Sequence, residues 1–107
     1  MKTVPHDDPE SMSDLLSKLV EAIALLDRIG EERWATWLRS DLAHLQRGDA
    51  NGLNHLLSAY GGMGSLNDLY IDPANGHPVT AAEAVALDAE WRALCNDMYK
   101  VARALRR

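Results

Sequence analysis

The sequence predicts an all-α protein, a compact helical bundle of three longer helices and one shorter helix. Three observations carry this prediction. Apolar residues recur three and four apart in several separate stretches, the period of one helix face. Each stretch is bounded by residues that start or stop helices. Every stretch is apolar on one side only, so each needs the others to bury its stripe. With 47% apolar and 25% charged residues, the 107-residue chain has the composition of one ordinary globular domain.

Residues 1–10, MKTVPHDDPE, mix prolines and charges without periodicity and read as a flexible N-terminal tail, leaving 11–107 as the single helical domain. Ser11, with Asp14 three residues on, fits an acidic capping box. Leu15, Leu19, Ile23, Leu26 and Ile29 then form the first apolar stripe, and Gly30 offers a left-handed stop. Glu31 and Glu32 open the second helix, where acids complement the dipole. Its face is Trp34, Trp37, Leu38, Leu42 and Leu45, and Gly48 ends it. Asp49 is the expected N-cap of a short third helix carrying Leu53, Leu56, Leu57 and Tyr60, which Gly61 or Gly62 terminates.

Between the third and last helices, Asp72 to Pro78 carries an Asn75-Gly76 turn signal, and a tiny β-hairpin is expected near residues 69–79. Pro78 weakens that expectation by removing a ladder donor. Thr80 and Glu83 form a second capping box. The last stripe is Ala84, Leu87, Trp91, Leu94, Met98, Val101 and Leu105. Lys100, Arg103, Arg106 and Arg107 gather at its end, where cations complement the helix dipole.

Charge and cysteine content narrow the function classes. A net charge of −5 disfavours nucleic acid as partner, because phosphate binding needs a basic face. It suits a protein partner that is itself basic. The single cysteine, Cys95, excludes an intrachain disulfide. The N-terminus lacks the apolar core of a secretory signal, and no apolar run reaches the ~20 residues of a membrane span. A cytoplasmic protein is the expectation.

The distinctive stretch is Ser58–Tyr70, SAYGGMGSLNDLY. A phosphate-binding loop would place Lys and Ser or Thr after the glycines and lead into a helix; here the glycines follow a helix and no lysine comes. Gly61, Gly62 and Gly64 therefore read as a structural loop, a helix stop with close approach to a neighbour. Ser65, Asn67 and Asp68 read either as backbone-bonding turn residues or as a surface that contacts a protein partner. Trp34 is the candidate aromatic anchor beside them, since tryptophan is enriched among interface hot spots. His6, His44, His55 and His77 fall in separate segments without metal-ligand spacing, so no metal and no other cofactor is expected. Cys95 lacks the signature of a nucleophile. No catalytic residues are expected; Asp49, Asn67 and Asp68 are the residues an enzyme would have to use.

At residues 32–69, ERWATWLRSDLAHLQRGDANGLNHLLSAYGGMGSLNDL, the chain resembles a family of small bacterial proteins carrying a domain of unknown function. The resembling elements are a tryptophan-led helix (Trp34, Trp37), a Gly-Asp step (Gly48, Asp49) and the segment Gly61–Leu69. The resemblance implies relation without activity, because the family brings no catalytic residues to carry over. It marks Gly61–Asp68 as the distinctive element.

The resulting expectation is a small acidic protein-binding module, with an immunity or antitoxin-type inhibitor as its concrete form. The alternative is a self-associating structural or regulatory adaptor that pairs through the last helix; the chain is expected to be a monomer or a homodimer. An enzyme ranks third.

Overall fold

A computed structural model describes residues 11–61 and 63–106 of the chain. Its long elements are α1 (Met12–Ile29), α2 (Glu32–Gln46), α3 (Asn51–Leu57) and α4 (Ala81–Arg106), with short 3-10 turns at Leu66–Asp68 and Pro73–Asn75. The architecture is all-α, with three longer helices and one shorter one. The expected tail at 1–10 and Arg107 lie outside the described residues.

α1 begins and ends as its sequence dictates. The Asp14 N–H donates to Ser11 Oγ at 3.1 Å, satisfying one of the helix's orphan donors. Gly30 closes the helix at φ 79°, and the Glu31 N–H reaches back to the Leu26 carbonyl at 2.9 Å. α4 opens on a reciprocal box. The Thr80 N–H donates to Glu83 Oε1 at 2.8 Å, and the Glu83 N–H donates to Thr80 Oγ1 at 3.0 Å. The bond from the Thr80 backbone holds the Glu83 carboxyl below its ordinary pKa.

The core runs along α1, whose Leu15, Leu19, Ala22 and Leu26 are fully buried. α1 packs against both α2 and α4, and α3 closes the arrangement by packing against both of those helices. Ion pairs give the sense of the α1–α4 packing. Arg28 near the end of α1 meets Glu83 at the start of α4 (3.4 Å), while Lys18 meets Asp97 farther along (3.8 Å). The two helices are therefore antiparallel. From α4 come Trp91 and Met98, at 1% and 0% exposure. The middle of the α4 stripe is thus buried in the chain's own core.

Three boundaries differ from the sequence expectation. α3 ends at Leu57, with Ser58 still right-handed at φ −70°, so the glycines do not cap it. The chain makes two further tight turns, Ala59 N–H to the Leu56 carbonyl and Tyr60 N–H to the Leu57 carbonyl, before Gly61 turns left-handed. The N-cap of α3 is Ala50, which has no side chain to cap with, yet Asp49 still serves the turn: its Oδ1 accepts the Asn51 N–H at 3.0 Å. Finally, the hairpin near 69–79 is absent, and the described residues contain no strand. Asp72 instead caps a 3-10 turn by accepting the Ala74 N–H at 2.8 Å, and Gly76 ends that turn at φ 84°. The Asn-Gly signal marked a turn correctly, but local side-chain bonds replace a ladder here.

Side chains pin this linker at two points. The Ile71 N–H donates to Asp88 Oδ1 of α4 at 2.9 Å, and Ile71 itself is buried. Farther on, His77 is buried. Its Nδ1 accepts the Asp72 N–H at 3.0 Å, so the ring proton sits on Nε2 and is donated to Glu31 Oε2 at 2.7 Å. One neutral imidazole thus ties the linker to the corner between α1 and α2.

Candidate functional site

The loop after α3 is built from its own residues. The Leu66 N–H donates to the Ala59 carbonyl at 2.8 Å and closes the base of the loop. Leu66 is fully buried beneath it. Asn67 Oδ1 accepts the Gly61 N–H at 3.2 Å and the Ser65 hydroxyl at 2.7 Å. Asp68 Oδ2 accepts the Gly64 N–H at 2.9 Å. Leu-Asn-Asp therefore follows the glycines as a plug and two clasps. Gly61 and Gly64 sit at φ 95° and 78°, where a side chain is strained. A Cβ at either would meet nothing within 4 Å, so conformation, and not close approach, requires glycine there. Gly62 lies outside the described residues.

The close approach occurs at Gly52, which the sequence reading passed over. A Cβ there would stand 2.9 Å from Leu45 Cγ and 3.1 Å from His44 Cβ. This glycine is what lets α3 lie against the end of α2.

Two consequences for recognition follow. Clasping leaves Met63 at the loop tip 97% exposed, an apolar side chain held out in water. Clasping also brings Asn67 to the wall of a cleft of about 430 Å³, shared with Leu57, Tyr60, Gly61, Asn96 and Tyr99. Tyr60 is fixed by donating its hydroxyl to the Cys95 carbonyl at 2.8 Å and lies 5.0 Å from the Tyr99 ring. Burial pushes the Tyr60 phenol well above the ordinary tyrosine range, so it remains a neutral donor.

A second hollow of about 380 Å³ adjoins the first through Leu57 and Tyr99 and is also lined by Asn54, Ser58, Arg103 and Arg106. Together they form one groove between α3 and the end of α4. Of the candidate partner-contacting residues, Asn67 lines this groove. Ser65 is half-buried in the loop, and Asp68 is exposed with its Oδ2 turned to the loop backbone. Trp34 is elsewhere. It is 6% exposed in the core, with Arg33 over its ring at 4.6 Å, so it packs the interior instead of offering an anchor.

A polar pair lies on the neighbouring face. Asp41 of α2 is completely buried, and its Oδ1 meets His55 Nδ1 of α3. Asp41 Oδ2 is buried without a partner. Burial raises the Asp41 pKa to about 6, with the His55 hydrogen bond pulling the other way. His55 stacks on Trp37 with ring centroids 4.3 Å apart, and the Trp37 indole N–H donates to the His55 carbonyl at 3.3 Å. The arrangement orients an imidazole that is half open to solvent.

Other chemistry finds little support. Burial pushes the Cys95 thiol up to about 12, which keeps it protonated and unreactive. Among the described residues, no three His, Cys, Asp or Glu side chains are placed to hold a metal ion. No helix among them is long and apolar enough to cross a membrane.

The chain belongs to the family described as Domain of unknown function (DUF6966), whose model matches residues 27–80. The match spans the end of α1, α2, α3, the clasped loop and the pinned linker. No curated protein and no solved structure matches the chain.

Proposed function

We propose that this chain is a non-catalytic protein-binding module that takes a segment of its partner in the cleft between the clasped loop and α4. The observation that carries this reading is the double placement of Asn67. Its carbonyl oxygen holds the loop closed, and the same side chain walls the cleft beside Tyr60 and Tyr99. Rigid aromatics and amides around a hollow suit peptide recognition, because they give contact area and directed hydrogen bonds with little ordering entropy. The exposed Met63 adds an adaptable apolar contact at the tip.

The concrete form of the proposal is an inhibitor of the immunity or antitoxin type, acting by occupation and not by chemistry. Small size, one core and net charge of −5 support it. The burial of Trp91 and Met98 weighs against the alternative of an adaptor that self-associates through the α4 stripe.

The test is selection of binders from an unbiased displayed peptide library against the full chain, followed by affinity measurement on variants. Asn96 is exposed on α4 and lines the cleft, so Asn96→Trp fills the hollow without altering charge. Selected peptides are expected to lose binding to Asn96→Trp while its melting temperature stays near wild type. Peptides that bind both proteins equally would place recognition elsewhere.

A further inference from the structure

The groove differs in charge from the molecule that carries it. The chain has 16 acidic residues and a net charge of −5. Yet none of the described residues lining the two hollows is Asp or Glu, and the far hollow carries Arg103 and Arg106. Elsewhere three arginines are neutralised, Arg28 by Glu83, Arg39 by Asp27 and Arg92 by Asp88, and Arg33 lies over the Trp34 ring. Arg103 and Arg106 contact neutral oxygens instead. Arg103 donates to the Tyr99 hydroxyl at 3.2 Å and Arg106 to Asn54 Oδ1 at 3.4 Å. Both guanidiniums keep further N–H donors for a ligand. Asp97, one position from Asn96, pairs with Lys18 of α1.

We infer that the groove selects an acidic segment of the partner protein, seating an apolar or aromatic side chain against Tyr60 and Tyr99 and a carboxylate on Arg103 and Arg106. This rests on the reading that the cleft binds a protein. It revises the partner chemistry that net charge alone implies, since a basic segment would meet two guanidiniums that have no carboxylate partner among the described residues. Nucleic acid fits less well. Phosphate-driven binding draws on several cationic contacts along the backbone, and the chain as a whole carries a net charge of −5. An acidic peptide needs only one or two, and arginine's fork matches a carboxylate in geometry.

The dipole of α4 offers another reason for arginines in its last turn, so the test separates the two roles. The affinity of library-selected peptides is measured on wild type, on the double variant Arg103→Glu/Arg106→Glu and on Arg103→Gln/Arg106→Gln, at low and high salt. The glutamine pair keeps the helix intact should charge reversal fray it. We expect selected peptides to pair Asp or Glu with an aromatic or large apolar residue. Affinity should fall about tenfold or more in the glutamine pair and further in the glutamate pair, with steep salt dependence in wild type alone. Replacing the peptide's acids by lysine should abolish binding to wild type and restore it to the glutamate pair. Peptides that need an open cleft at Asn96 but ignore both arginine pairs would overturn this inference and leave the binding reading intact. If no peptide is sensitive to Asn96→Trp, both fall. Tighter, arginine-dependent binding of a single-stranded oligonucleotide than of any peptide would also overturn it.

Discussion

At the residue scale, two glycines and one aspartate carry most of what is unusual. Gly52→Ala sets two effects against each other. Alanine gains about 1 kcal/mol of helix propensity. It also drives a Cβ to 2.9 Å from the branch carbon of Leu45, and overpacking costs about 1–3 kcal/mol. Packing should win, so denaturant titration should show a less stable variant. Gly64→Ala meets no neighbour and should cost only the left-handed backbone penalty, about 1 kcal/mol. Asp41 has a sign that most carboxylates do not. Its folded pKa of about 6 exceeds its ordinary 3.8, so the native state binds the extra proton. Stability contributed by Asp41 is full below the lower value and is lost as pH rises through the higher one. Asp41→Asn should therefore flatten the fall in stability between those pH values, read as the difference between the two proteins' melting temperatures. A variant that tracks wild type across that window would refute the assignment.

At the element scale, helix ends were legible and the linkers less so. Ser11, Gly30, Thr80 and Glu83 act through rules that span three or four residues, and the structure places each as its local sequence implies. The end of α3 was misjudged because a glycine later in the chain is not required when ordinary turns stop a helix first. The hairpin was misjudged because Asp72 and His77 form contacts that no short pattern announces, one of them across 46 positions to Glu31. The groove was invisible for the same reason, since it joins α3 to a helix whose arginines looked sufficient as dipole partners. Removing the central tie measures its weight. His77→Ala removes a buried ring and its two hydrogen bonds, to the Asp72 N–H and to Glu31, which together are worth about 1–3 kcal/mol. The variant should lose that much stability, with hydrogen exchange accelerating first in the linker around 71–77.

At the scale of the whole molecule, the family segment and the folding unit are different things. Residues 27–80 contain α2, α3 and the clasped loop but only the last turn of α1 and none of α4. The missing helices bring Leu15, Leu19, Trp91 and Met98, which are at most 1% exposed. A fragment of 27–80 alone should therefore show little helix by circular dichroism, while residues 11–106 should unfold cooperatively. A well-folded short fragment would mean that α1 and α4 are accessories. In the intact chain the loop's turn at Leu66–Asp68 packs against α4, one of the helices that the family segment lacks.

The stack of Trp37 on His55 makes the protein its own optical gauge. The other two tryptophans, Trp34 and Trp91, are buried in the core, while Trp37 alone touches an imidazole whose partner is a buried carboxyl. Emission from Trp37 should thus report how that ring sits against His55 without any added label, and its loss in Trp37→Phe would identify the signal. Because His55 and the groove residue Leu57 lie on the same short helix, a ligand that shifts α3 would register as a change in that light.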